Sequence, residues 1–221
     1  MIYIIDDFYP NPDEVREKAL SFEYKRGESK IDGKVLHPGH RHLTDNSNDR
    51  WVLKNRQYLK NRWASIVGTR PWYWEKMTSN CAFNLGFDDR ENRFSWVHSD
   101  NAIQRKHLKN IRMWACVIYL TPNPPPKTGT LLLENPKGSI YDNEYKEGEK
   151  DKYYPPIRNC YWDNPVAFNP EWKVHAVVGN RYNRCVMYDA HMLHAPEDAG
   201  FGTTKETGRL TQIGFWFSER V

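Results

Sequence analysis

No run of apolar residues in the 221-residue chain approaches the roughly 20 needed to cross a bilayer as a helix. The opening Met1-Ile2-Tyr3-Ile4-Ile5 stops at Asp6-Asp7, with neither a basic lead-in nor a small-residue cleavage pattern, so the expectation is a cytoplasmic protein. Cysteine is scarce: Cys81, Cys116, Cys160 and Cys185 lie far apart and form no CxxC pair. That speaks against a zinc ribbon or a dithiol redox motif and predicts reduced, buried thiols. A one-sided charge is lacking as well. Lys plus Arg number 32 against 28 for Asp plus Glu, a bias too small to require nucleic acid or an anionic membrane as partner. Repeats, low-complexity tracts and linkers are absent, and a chain of this length reads as a single domain over 1–221.

Aromatic residues, by contrast, reach 14% of the chain, and fourteen Pro and thirteen Gly accompany them. The combination predicts many short strands joined by structured turns. Asn11-Pro12-Asp13-Glu14 reads as a cap, a proline in the first turn and two early acids, opening a helix to about residue 22. A second helix is predicted over 49–67, where Val52, Leu59, Trp63 and Ile66 recur at helical spacing. Its Arg50, Lys54, Arg56, Lys60 and Arg62 read as a solvated face. Strand-like segments follow at 79–85, 94–97, 111–121, 130–133, 166–168, 172–178, 185–189 and 209–217, besides a first strand at 3–5. Residues 134–164, tyrosine-rich and weakly periodic, are too long for an ordinary connection and read as an insertion over a site. The expectation is a mainly β sandwich or barrel core over 78–221, supported by N-terminal helices over 1–77.

The chemistry concentrates at His98-Ser99-Asp100, which ends a predicted strand. Residues i and i+2 of extended chain share a face, so one imidazole and one carboxylate can aim at a common point. A third donor from a distant strand completes a two-His-one-carboxylate face, which leaves positions open and suits non-haem Fe(II). His194, after the strand at 185–189, is the preferred donor, with His191 as the rival. Arg209 opens the last strand and shares a face with Thr211, Ile213, Phe215 and Phe217, a basic head and a hydroxyl on an apolar wall. Such a face suits a small dicarboxylate, its carboxylate held bidentately by the guanidinium. Tyr119 could add its phenol from the 111–121 strand or serve as core. His40-x-His42 reads as a Pro-Gly loop with structural or substrate-edge roles rather than a second metal site, and Arg41 between them could reach the substrate. His175 reads as a buried wall residue and His107 as solvated; Trp72-Tyr73-Trp74 and Tyr153-Tyr154 suit either packing or a groove.

The ordered set His98-x-Asp100, Ile118-Tyr119-Leu120-Thr121, Gly129-Thr130-Leu131, Asn183 through Tyr188, His194 and Arg209-x-Thr211 resembles the Fe(II)/2-oxoglutarate-dependent dioxygenase superfamily. The resemblance is nearest to the prolyl 4-hydroxylase-like branch. It implies a double-stranded β-helix, the cupin-like jelly-roll, with Fe(II) held by His98, Asp100 and His194. It further implies 2-oxoglutarate held by Arg209 together with Tyr119 and Thr211, consumption of O2, and hydroxylation of an unactivated C–H bond. A prolyl or other peptide side chain is the substrate class it favours. A nucleobase-directed oxygenase and a non-catalytic jelly-roll binding module are the alternatives, and fold analogy alone does not choose among substrates.

Overall fold

Nine-residue β7 (Ile111–Tyr119) and eleven-residue β12 (Arg209–Glu219) form the antiparallel spine of the protein, paired from Thr211↔Tyr119 to Glu219↔Ile111. The structure is a computed structural model that describes residues 1–26, 30–31, 34–35, 39–45, 47–68, 80–88, 97–100, 111–141 and 172–219. Numbered in chain order, the other strands are β1 (Ile2–Ile5), β2 (Lys25–Arg26), β3 (Lys30–Ile31), β4 (Lys34–Val35), β5 (His40–His42), β6 (Phe83–Gly86), β8 (Thr130–Glu134), β9 (Lys173–Val178), β10 (Cys185–Asp189) and β11 (His194–Pro196). The helices are α1 (Pro12–Leu20) and α2 (Arg50–Val67).

Seven strands pair in the order β1-β10-β7-β12-β6-β5-β2, three more in the order β11-β8-β9, and β3 pairs with β4. Side chains of the large sheet alternate between two environments. Ile118, Leu120, Cys185, Met187, Leu210 and Trp216 point to one face, where Val15 and Ala19 of α1 and Leu59 and Trp63 of α2 cover them. Met113, Ala115, Tyr119, Val186, Tyr188 and Phe217 point to the other, against Leu132 and Val178 of the small sheet. The space between the sheets is therefore lined by the residues that alternate with the helix-covered ones.

Both helices begin where the sequence predicts, for different reasons. Asp49 caps α2, its Oδ1 accepting from the amides of Trp51 (2.7 Å) and Val52 (3.2 Å), and Gly68 ends it at φ +76°. Asn11 occupies the corresponding position of α1, but its side chain makes no cap hydrogen bond, and the start rests on Pro12 with its fixed φ. Arg56, expected on a solvated face, is instead buried and donates from Nη1 to the Thr44 carbonyl at 2.6 Å. Helical periodicity locates the apolar stripe but not a cation turned inward to a backbone acceptor.

Helix and sheet meet closely at Gly214, where a Cβ would lie 2.0 Å from Trp63 Cη2. Trp63 in turn stacks on Trp216 with ring centroids 4.0 Å apart. A buried polar network ties the N-terminal segment to the same place. Tyr9 donates to Gln212 Oε1 at 2.5 Å, Gln212 Nε2 donates to Asn55 Oδ1 at 2.8 Å and to the Cys81 carbonyl at 3.0 Å, and Asn55 Nδ2 reaches the Tyr9 hydroxyl at 3.2 Å.

Cys81, Cys116 and Cys185 are unbridged and buried. Among the described residues no helix is long and apolar enough to cross a membrane. The expected segments at 94–96 and 166–168, residues 142–164 of the expected insertion, His107, Trp72-Tyr73-Trp74, Tyr153-Tyr154 and Cys160 lie outside the described residues.

Two further local expectations are corrected. His40 to His42 form strand β5 rather than a loop, held by the register Arg41↔Asn84 to β6. His175 is exposed rather than part of a buried wall: it is the extra residue at the register shift between Ala176↔Leu132 and Val174↔Leu133, with no partner in β8.

Candidate metal centre

His98 and His194 are brought together by the backbone before any side chain acts. They form an isolated antiparallel bridge, each amide donating to the other's carbonyl at 2.9 Å. The bridge adds the His98 segment to the free side of β11. The Asp100 amide donates to the Ala190 carbonyl at 2.8 Å, which fixes the third residue.

One donor atom from each of His98, Asp100 and His194 lies within 4.8 Å of the others, and these form the one such His/Cys/Asp/Glu group among the described residues. His194 Nε2 is 3.2 Å from Asp100 Oδ2, and His98 Nε2 is 3.7 Å from Asp100 Oδ1. His194 is buried, whereas Asp100 and His98 are progressively more open to the cleft. The His194 Nδ1 sits 2.9 Å from the Met192 carbonyl. A carbonyl only accepts, so Nδ1 carries a proton, and Nε2 is the nitrogen facing Asp100 that can serve as a metal donor once its own proton is displaced. Burial pulls the His194 pKa down, but the charge and hydrogen bond of Asp100 and the Met192 carbonyl outweigh it and raise the value above normal. The Tyr188 ring packs at 4.7 Å from the His194 ring and closes the inner side.

His191, the rival donor, is placed elsewhere. Its Nδ1 is 3.0 Å from Asp189 Oδ1 in a buried pair that shapes the turn between β10 and β11. Its side chain is not among the converging donors. His40 and His42 also point away, toward the helices: the His42 ring stacks on Phe22 at 4.0 Å, and His40 meets Phe87 at 5.5 Å.

A second polar feature lies deeper between the sheets. Arg209 is buried, its Nε donating to the Thr128 carbonyl at 3.3 Å and its guanidinium carbon 5.7 Å from the centre of the Tyr119 ring. The Tyr119 hydroxyl is 2.7 Å from Thr130 Oγ1. Burial pushes the Tyr119 phenol up, with Arg209 opposing, so it stays a neutral hydrogen-bonding group. Thr211 is also buried and is the register partner of Tyr119. Arg209, Thr211 and Tyr119 thus share the inner face.

The β8 strand measures the distance between the two features. Thr130 touches Tyr119, whereas Leu132, two residues on, is the register partner of His194. Two residues of strand span about 7 Å, so the positions beside the two features are one inward-facing step apart along β8. The Thr128 and Met192 carbonyls carry no signature a motif reading could have used, whereas Thr130 and Tyr188 lie inside two of the segments that carry the resemblance, with no role assigned to either there.

A family model described as a family of unknown function, DUF6445, matches residues 1–216. The chain belongs to this family. No curated protein matches it. Solved structures do, at low identity. HygX from Streptomyces hygroscopicus, solved with nickel and 2-oxoglutarate bound, has a TM-score of 0.55 and 12% identity over 98% of this chain and 82% of its own. A prolyl hydroxylase from Trichoplax adhaerens, in complex with a hypoxia inducible factor peptide fragment, gives 0.53 and 13% over 98% and 82%. The non-heme alpha ketoglutarate dependent epimerase SnoN from nogalamycin biosynthesis gives 0.53 and 9% over 100% and 79%. These likenesses establish the fold of this DUF6445 member. It is the jelly-roll, or double-stranded β-helix, of the Fe(II)/2-oxoglutarate-dependent oxygenases, shared with the prolyl hydroxylases.

Proposed function

We propose that the chain is an Fe(II)- and 2-oxoglutarate-dependent dioxygenase that oxidises an unactivated C–H bond of its substrate. In this reading His98, Asp100 and His194 hold the iron, and Arg209, with Tyr119 and Thr211, holds the distal carboxylate of 2-oxoglutarate. The observation that carries it is the convergence of one carboxylate and two imidazole donors within 4.8 Å, about two strand residues from a buried arginine. Two imidazoles and one carboxylate, with no thiolate, suit non-haem iron, and three protein donors leave coordination positions for cosubstrate and O2.

Bound iron supplies the redox chemistry, by which O2 oxidises 2-oxoglutarate to succinate and CO2 and the substrate C–H bond to C–OH. The protein's part is positioning. The Met192 carbonyl fixes the His194 tautomer, and the backbone bridge to His194 fixes the approach of His98. Arg209, buried between the sheets with its Nε on the Thr128 carbonyl, is the guanidinium that takes the incoming carboxylate, a charge-assisted pairing stronger than a neutral hydrogen bond. Tyr119, turned by Thr130, offers a neutral phenol beside it. Apolar Leu132, Val186 and Val178 line the space between and exclude water from the reacting bond.

The test is purification of the full chain, measurement of retained Fe(II), and assay of succinate release from 2-oxoglutarate in air across peptide and small-molecule candidates. Iron retention and succinate release, both lost in His98→Ala, support the reading. Retention of no iron together with release of no succinate counts against it.

A further inference from the structure

One inner-face row of the large sheet extends past the cosubstrate residues. Antiparallel partners place their side chains on the same face, and the registers run Tyr119↔Thr211, Thr211↔Asn84, Asn84↔Arg41 and Arg41↔Lys25. Tyr119, Thr211, Asn84, Arg41 and Lys25 therefore stand side by side, from the anion pocket at the centre to an exposed lysine at the sheet edge. The neighbouring rows confirm the facing: Leu85 and Phe83, which flank Asn84, pack on the helix side, as do His40 and His42 on either side of Arg41.

The third and fourth members of this row, Asn84 and Arg41, each carry an unsatisfied atom. Arg41 Nε and Asn84 Oδ1 are both shielded from solvent and have no hydrogen-bond partner. No carboxylate among the described residues lies within ion-pairing distance of Arg41. Burial pulls its pKa down to about 10, opposed by the charge of Asp100. By register Arg41 stands on the inner face, in the row that holds Thr211 and Tyr119. A buried donor and a buried acceptor left without partners are costly, and a cationic fork on the inner face is tolerated when a ligand supplies what is missing.

We infer that Arg41 and Asn84 form the recognition subsite for the prime substrate, taking a carboxylate on the Arg41 guanidinium and an adjacent N–H on the Asn84 carbonyl oxygen. The inference deepens the dioxygenase reading and rests on it for the identity of the bound molecule as substrate. The class is an amino-acid-like molecule, carrying a carboxylate with a neighbouring amine or amide nitrogen. A single guanidinium with one carboxamide matches a monoanion, whereas a phosphate dianion would require a second buried cation in the row, and Lys25 is exposed.

The experiment measures binding by ligand-observed NMR, using N-acetyl derivatives of the common amino acids as acids and as the corresponding primary amides. It is run on metal-free protein and on protein loaded with Zn(II) and saturating 2-oxoglutarate, so that a failed metal centre and a failed subsite give different results. At least one acid is expected to bind, tenfold or more tighter than its amide. Arg41→Gln should erase that preference and Asn84→Ala should weaken the acid about tenfold, with circular dichroism and Zn(II) affinity unchanged and the melting temperature no lower in both. Zn(II) binding failing in the wild type while the acid preference persists and depends on Arg41 would sink the dioxygenase reading and leave the subsite standing. The subsite is overturned if no acid binds in either form, or if Arg41→Gln keeps the preference. Displacement of the acid by inorganic phosphate at lower concentration than by acetate would also overturn it.

Discussion

His98 and His194 exchange two backbone hydrogen bonds of 2.9 Å, one in each direction, across an isolated bridge at the edge of the small sheet. Two imidazoles are thereby anchored as neighbours whether or not anything lies between them. A loop-borne histidine would have to be ordered by its ligand, at a cost in conformational entropy of about 1–2 kcal/mol per residue fixed; here the backbone meets that cost on folding.

Replacing a donor should therefore remove metal affinity without unfolding the protein. His98→Ala, Asp100→Ala and His194→Ala should each weaken Fe(II) binding by more than the roughly 10–100-fold typical of losing an outer-shell partner. Their far-ultraviolet circular dichroism should match the wild type. Titration calorimetry with Mn(II) as an oxygen-stable surrogate reads the effect, and undiminished affinity in any of the three removes that residue from the ligand set.

Arg209 and Tyr119 should separate from the metal ligands in the same assay. Arg209→Ala should spare metal binding and weaken 2-oxoglutarate by on the order of 30-fold or more, since truncating one partner of a buried charge pair costs about 2–5 kcal/mol. Tyr119→Phe, which loses only the phenol beside Thr130, should cost nearer tenfold, about 1–1.5 kcal/mol. Cosubstrate titrations on metal-loaded protein check both. Equal loss of metal in Arg209→Ala would contradict the division of roles.

The contact of α2 with β12 predicts a stability effect independent of any ligand. Gly214→Ala places a methyl group where Trp63 already lies and should destabilise by about 1–3 kcal/mol, the range for overpacked cores. Tyr9→Phe should cost a similar 1–3 kcal/mol, because it leaves Gln212 Oε1 without its buried donor. Urea unfolding of each variant gives the numbers, and a wild-type midpoint for Gly214→Ala would show that the helix can shift away.

Acid should loosen the N-terminal strand. Hydrogen bonds from Arg184, opposed by desolvation and reinforced by the charges of Arg184 and Arg181, hold the Asp6 carboxyl below its ordinary value. A depressed folded-state pKa contributes stability that is fully present above the unfolded value of about 4 and is lost as pH falls through the folded value. Melting temperatures between pH 3 and 7 should therefore fall less steeply on the acid side for Asp6→Asn than for the wild type. Identical slopes would place the acid sensitivity elsewhere.

What could be read from the sequence follows what each interaction writes into it. The i, i+2 spacing of His98 and Asp100 and the inward alternation of Arg209 and Thr211 are side-chain patterns. β10 is legible to the residue for the same reason: Cys185 to Tyr188 is a buried run of apolar and aromatic residues closed by Asp189. Backbone acceptors write nothing, so neither the Met192 carbonyl behind His194 nor the Thr128 carbonyl behind Arg209 could be anticipated. Short β5, built of His40, Arg41 and His42, has no apolar alternation and forms because β6 lies beside it. Asn84 reads as one polar residue in a predicted strand, and its place beside Arg41 depends on a register set by distant chain.

The central claim is that His98, Asp100, His194 and Arg209 together bind Fe(II) and 2-oxoglutarate. It is tested most directly by adding 2-oxoglutarate to the Fe(II)-loaded full chain under strictly anaerobic conditions and recording the visible absorption. A metal-to-cosubstrate charge-transfer band should appear, saturate at one cosubstrate per iron, shift to higher cosubstrate concentration in Arg209→Ala and vanish in His194→Ala. A wild-type protein that binds neither component, or shows no band with both present, would contradict the account.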